Sequence, residues 1–180
     1  MKHTLFLFLN MALLAGVIFI GWKQFAHPSY GEVLQGSGWT AKKFGDKYFL
    51  SIANRSELVA AVNDFVRAQK LTSGNITGIG AVNAVTLRFF DPQTKQYVDK
   101  SFNGQMEITN LSGNISTMDG KEYVHLHITL GDKNYQALAG HLLSADINGA
   151  GELFIEALPA ARVERSYNPE IGLNFYDFAK

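Results

Sequence analysis

Beyond Leu71 the apolar side chains of this sequence fall at every second position, and no other feature limits the fold as strongly. An extended strand turns successive side chains to opposite faces, so this spacing buries one face of a sheet and leaves the other wet. Short β-branched or aromatic runs carry it, at residues 76–81, 84–90, 96–102, 105–111, 123–130, 135–142 and 153–158. Turn-forming residues separate several of them, at Asp91-Pro92-Gln93-Thr94, Asp119-Gly120 and Gly131-Asp132-Lys133-Asn134. Only upstream is the spacing helical. There Leu58, Val62, Phe65 and Val66 follow the capping-box pair Asn54 and Glu57, which predicts a helix over about 56–69. One early helix followed by strands at hairpin intervals predicts an α+β fold, a largely antiparallel β-sheet with one main helix packed on it.

A hydrophobic content of 47% over 180 residues supplies one ordinary core, so a single domain is expected, over 47–158. With no cysteine, the chain has no disulfide, no thiolate metal ligand and no cysteine nucleophile. Leu5 to Trp22 carries no charge and follows a short basic start, Met1-Lys2-His3-Thr4. That reads as a signal peptide or an N-terminal membrane anchor over 1–26, since the run is close to the minimum of about 17–20 residues for crossing a bilayer. Ala26 is the best small-residue candidate for cleavage. Either route puts the protein in the bacterial cell envelope, as a periplasmic, secreted or membrane-tethered chain. Sixteen basic side chains balance sixteen acidic ones, and loss of Lys2 and Lys23 with the leader would shift the net charge from zero to about −2. Residues 27–46, with His27-Pro28-Ser29-Tyr30-Gly31 and Gly36-Ser37-Gly38, read as a linker or irregular lead-in. The tail over 159–180 ends in Ile171-Gly172-Leu173-Asn174-Phe175-Tyr176-Asp177-Phe178. It is too aromatic for a solvated end, and is expected to dock on the domain or on a neighbouring subunit.

Gly78-Ile79-Gly80-Ala81 has two glycines of a dinucleotide fingerprint but not the third, and no amphipathic helix follows it. No nucleotide cofactor is expected, and a glycine-rich strand permitting close backbone approach is the better reading. No Gly-x-Ser-x-Gly elbow occurs, so no hydrolase triad is indicated.

The chemistry concentrates on three histidines. On the strand expected over 123–130, Tyr123, His125, His127 and Thr129 share one face, while Val124, Leu126, Ile128 and Leu130 form the core face. The two imidazoles stand about 6.6 Å apart at Cα, twice the strand rise. They can converge on one ion at about 2.0–2.1 Å, with His141 of the next strand as third ligand and one coordination position open. Hairpin register decides the face of His141. A four-residue loop over 131–134 sets it opposite Val124, in the core; a five-residue loop, or a bulge near Gly140, sets it opposite His125. The alternative to a metal site is a polar strand face whose histidines hydrogen-bond one another and the backbone.

Several segments, taken together and in order, resemble the PPC (plants and prokaryotes conserved) domain family. They are Gly78-Ile79-Gly80-Ala81, Gly104-Gln105-Met106-Glu107-Ile108, Leu111-Ser112-Gly113-Asn114-Ile115, His125-Leu126-His127 and Gly140-His141-Leu142. Ala139-Gly140-His141 stands where members usually show Gly-Gly-His, and Ile171-Gly172-Leu173 with its aromatic run is similar to exported members from gut-type bacteria. The resemblance implies a compact α+β domain assembling as a homotrimer, and the recurrence of the three histidines strengthens the metal reading. In plants the domain follows an AT-hook, an Arg-Gly-Arg-Pro segment that enters the DNA minor groove. These 180 residues contain no such segment, and a near-neutral chain supplies little of the positive charge that phosphate contacts require.

The expected function is an exported trimeric binding module whose His125, His127 and His141 hold Zn2+ or another divalent transition metal, with a small ligand on it. A metal-dependent enzyme is one alternative, with Glu107 and Glu152 as candidate acid or base groups or ligand contacts beside the metal. DNA binding, by family analogy, is the other.

Overall fold

The computed structural model describes residues 31–176 and Phe178. The leader or anchor expected over 1–26 lies outside the described residues. Among the described residues nine strands and one helix follow in order: β1 (Glu32–Gly36), β2 (Trp39–Phe44), β3 (Lys47–Ile52), α1 (Leu58–Ala68), β4 (Gly74–Asp91), β5 (Gln96–Met118), β6 (Lys121–Gly131), β7 (Ala137–Ala157), β8 (Glu164–Asn168) and β9 (Leu173–Tyr176). All pairings are antiparallel except that of β8 with β5, so the sheet is largely antiparallel with one helix packed on it.

Four long strands replace the shorter runs of the sequence. Runs 76–81 and 84–90 join in β4, 96–102 and 105–111 in β5, 135–142 and 153–158 in β7. The breaks in periodicity are bulges within continuous pairing, at Gly78/Gly80 and Val82/Ala84 of β4, and not chain reversals. These strands close on themselves: β6 borders β5 and β7, and both of those also border β4. Leu126, Ile128 and Leu130 of β6 point into the enclosed core, beside Leu111, Ile115 and Ile147. The opposite face of β6 is left for chemistry.

The helix begins two residues later than expected, and its cap is different. Glu57 itself is the N-cap, its carboxylate accepting from the backbone N–H groups of Val59 and Ala60, while a third donor, the N–H of Ala145, ties it to β7. Asn54 accepts instead from the N–H of Gly149. Phe65 is fully buried between Trp39 and Tyr48, with ring centroids at 5.1 and 5.2 Å in edge-on geometry.

Residues 32–44, read as an irregular lead-in, form β1 and β2, with β2 paired along β3. Only Trp39 and Ala41 of β2 point inward, too few for a legible period, and Ser37-Gly38 forms the connecting turn after Gly36 ends β1. Trp39 is nonetheless anchored through Nε1, which donates to Asp64 Oδ2 at 2.8 Å. At the other end the aromatic tail folds back on its own domain. β8 and β9 form a hairpin, and Thr117 and Met118 of β5 pair with Glu164 and Arg165 of β8. Among the described residues no helix is long and apolar enough to cross a membrane.

Candidate metal centre

β6 presents His125 and His127 on one face because a strand alternates, and the β6–β7 hairpin adds His141. The hairpin loop is five residues, 132–136, because β6 runs one residue past the expected 130 while β7 begins two residues after the expected 135: Gly131 pairs with Ala137, Leu130 with Leu138 and His127 with His141. His141 therefore lies opposite His127 rather than His125, on the histidine face in either case, because a shift of two residues preserves the face. Asp132 closes the loop. Its Oδ1 accepts from the N–H groups of Asn134 and Gln136, and Tyr135 takes a left-handed φ of 61°.

Behind His125 the sheet is unusually tight. A side chain at Gly113 would place its Cβ 2.2 Å from the carbonyl oxygen of His125, so only glycine permits β5 to pack along this stretch of β6.

The three rings converge. His125 Nε2 lies 3.0 Å from His141 Nδ1 and 3.2 Å from His127 Nε2, and one nitrogen from each ring falls within 4.8 Å of the others. Nitrogens bound tetrahedrally to one ion at about 2.05 Å are about 3.3 Å apart, so two of the three separations already fit shared coordination. Burial, and then the neighbouring His141, Arg165 and His127, push His125 down to about 4 from its ordinary 6.5. Burial also lowers His141, aided by His127 and Arg88 and opposed by Asp99. Both effects favour neutral rings, the form that ligates.

Arg165 is the unforeseen member of this site. It is 7% exposed and stacked between Tyr176 and Tyr123, with its guanidinium 4.3 and 5.1 Å from the two ring centroids. Nε donates to Ser116 Oγ at 2.9 Å; Nη2 reaches Asn114 Oδ1 at 2.8 Å and His125 Nδ1 at 3.3 Å; Tyr176 also donates to Asn114 Oδ1. A guanidinium only donates, so His125 Nδ1 is the acceptor and the ring proton sits on Nε2. A ring giving Nε2 to a cation carries its proton on Nδ1 instead, usually donated to an acceptor. The contact with Arg165 and metal occupancy at His125 Nε2 thus oppose each other. No local signal marked Arg165: it stands about 40 residues beyond His125, and only the docking of β8 on β5 brings them together.

The histidines, Arg88, Arg165, Tyr97 and Tyr123 help to line a cavity of about 390 Å³. Glu107 and Glu152 do not line it. Glu107 is exposed and pairs with Gly131, roughly 13 Å along β6 from His127 at the usual strand rise. Glu152 is exposed in the far half of β7, paired with Ser51 and Ile79. Charge alone suggests both, and the length of β5 and β7 carries them away.

The sequence pattern of the Plants and Prokaryotes Conserved (PCC, also written PPC) domain matches residues 40–159. The chain belongs to this family. Among solved structures, the PCC chain is similar to a Bacteroides thetaiotaomicron protein provisionally named DNA-binding, at 53% identity and a TM-score of 0.77, covering 80% of this chain and 100% of that one. It is similar to a metal-containing protein of Archaeoglobus fulgidus at 29% identity and a TM-score of 0.69, covering 79% and 99%. A plant- and prokaryote-conserved protein of Pyrococcus horikoshii, at 24% identity and a TM-score of 0.70 over 82% and 99%, shares the fold. No curated protein matches the chain.

Proposed function

We propose that this PCC protein is a trimeric binding module of the bacterial cell envelope that holds one divalent transition metal, Zn2+ foremost, on His125, His127 and His141. The convergence of three imidazole nitrogens on one face carries the reading. The metal-containing character of the Archaeoglobus fulgidus relative supports it, and so does the neutral state favoured at His125 and His141. Exposed apolar side chains on the strands, Phe49, Ile79, Phe89 and Val98, each more than half exposed, support burial against further copies of the chain.

Binding is favoured over catalysis because, among the described residues, no carboxylate lines the cavity to move a proton at a metal-bound water. The provisional DNA-binding names of two relatives are the basis of the other reading. Equal numbers of acidic and basic side chains supply little of the charge that reading needs. Metal analysis of protein purified without an affinity tag should find about one equivalent of metal per chain, falling to background in His127→Ala. Metal-free wild-type protein that takes up no Zn2+ on titration would return the cluster to a hydrogen-bonded histidine face.

A further inference from the structure

A buried charge ordinarily sits beside an opposite one, because the solvation lost on burial must be offset. Arg165 is permanently charged, 7% exposed and lines the histidine cavity. Among the described residues its hydrogen-bond partners are all neutral: Ser116 Oγ, Asn114 Oδ1, His125 Nδ1 and the carbonyl of Asn174. Among the described residues no aspartate or glutamate forms an ion pair with it. Arg88, the other cation of the cavity wall, is already neutralised by Asp99 in a two-pronged pair at 2.7 and 2.9 Å. The cavity is therefore positive, with Arg165 as the source, and a divalent ion on three neutral imidazoles would add two more positive charges.

We propose that the ligand of the metal site is a small carboxylate recognised by Arg165, an inference that rests on the metal reading above. Three protein ligands leave a coordination position for an exogenous group, and a carboxylate oxygen is an established donor to Zn2+. The planar two-oxygen head also matches the fork of a guanidinium, which a single-point anion does not. Metal occupancy at His125 Nε2 puts a proton on Nδ1, so Arg165 Nη2 loses that acceptor, and the carboxylate replaces it. The cavity, about 390 Å³ and flanked by Phe90, Tyr97, Tyr123 and Leu173, suits a short apolar substituent behind the carboxylate.

The test uses the full-length protein loaded with Co2+, whose visible absorption reports its ligands, and compares propanoate with its neutral isostere propanamide and with inorganic phosphate. Propanoate should shift the Co2+ spectrum saturably while propanamide leaves it unchanged, and Arg165→Met should weaken propanoate by about tenfold or more. Because that variant can loosen the C-terminal hairpin, its melting curve is recorded, and Arg165→Lys, which keeps the charge without the fork, should bind propanoate with intermediate strength. Equal binding of amide and acid, or no response with Co2+ bound, overturns the proposal; so does phosphate binding more tightly than propanoate. Failure to bind Co2+ sinks the metal reading instead. Calorimetry of the metal-free protein then decides, with heat from propanoate but not propanamide sustaining the role of Arg165 and no heat from either ending it.

Discussion

At His125 one residue combines three constraints: a strand face, a buried guanidinium and two neighbouring imidazoles. Its folded-state value near 4 lies below the ordinary 6.5, so between those pH values the unfolded chain binds a proton that the folded chain does not. The stability that comes from keeping the ring neutral is complete above about pH 6.5 and is lost as pH falls toward 4. Urea unfolding of the metal-free protein across that window should show the midpoint dropping with pH, and His125→Asn should flatten the slope. Neutral rings at His125 and His141 also resist proton competition, so half-maximal Zn2+ release should lie below pH 6.5 in a competitive-chelator titration.

The β6–β7 hairpin is the element that makes a site out of three histidines. Asp132 holds its loop and so the register that sets His141 opposite His127. Asp132→Ala should weaken Zn2+ binding by about tenfold with the fold retained, as read by metal titration and circular dichroism. The helix has the contrary role, stability without chemistry. Phe65→Ala removes a fully buried ring from between Trp39 and Tyr48 and should cost about 3–5 kcal/mol in denaturant unfolding. The histidines lie on the face of β6 opposite its core, so Zn2+ affinity of the folded fraction should be unchanged.

For the whole molecule, the C-terminal hairpin and the exposed apolar side chains set the expectations. Deleting 171–180 removes β9, including Tyr176, which stacks on Arg165 and bonds Asn114. The truncated chain should be less soluble and bind metal more weakly. Light scattering of the intact protein should return the mass of a trimer, and a stable monomer would count against the proposed assembly. Cell fractionation should recover the protein outside the cytosol, released or membrane-bound, whereas full-length chain in soluble cytosol would reject export.

Period and turn chemistry were enough to establish an antiparallel sheet, one helix, the core face of β6 and the shared face of His125 and His127, because those depend on neighbours a few residues apart. The Asp119-Gly120 turn belongs to the same class: its φ values of 52° and 75° are those a two-residue hairpin needs, and this pair of residues tolerates them. The joining of six short runs into three long strands was not legible, since a bulge and a turn both interrupt the period. Nor was the strand character of β2, where two inward side chains make no pattern. The place of His141 was open by one residue of loop length, and the side chain of Asp132 settled it. Glu107 and Glu152 looked available only because charge is visible in a sequence and distance is not. Arg165 reversed that case: an ordinary arginine in a tail becomes the buried cation of the site when β8 docks on β5. Contacts between residues far apart in the chain have no local signature, because the closure of the sheet alone decides which of them meet.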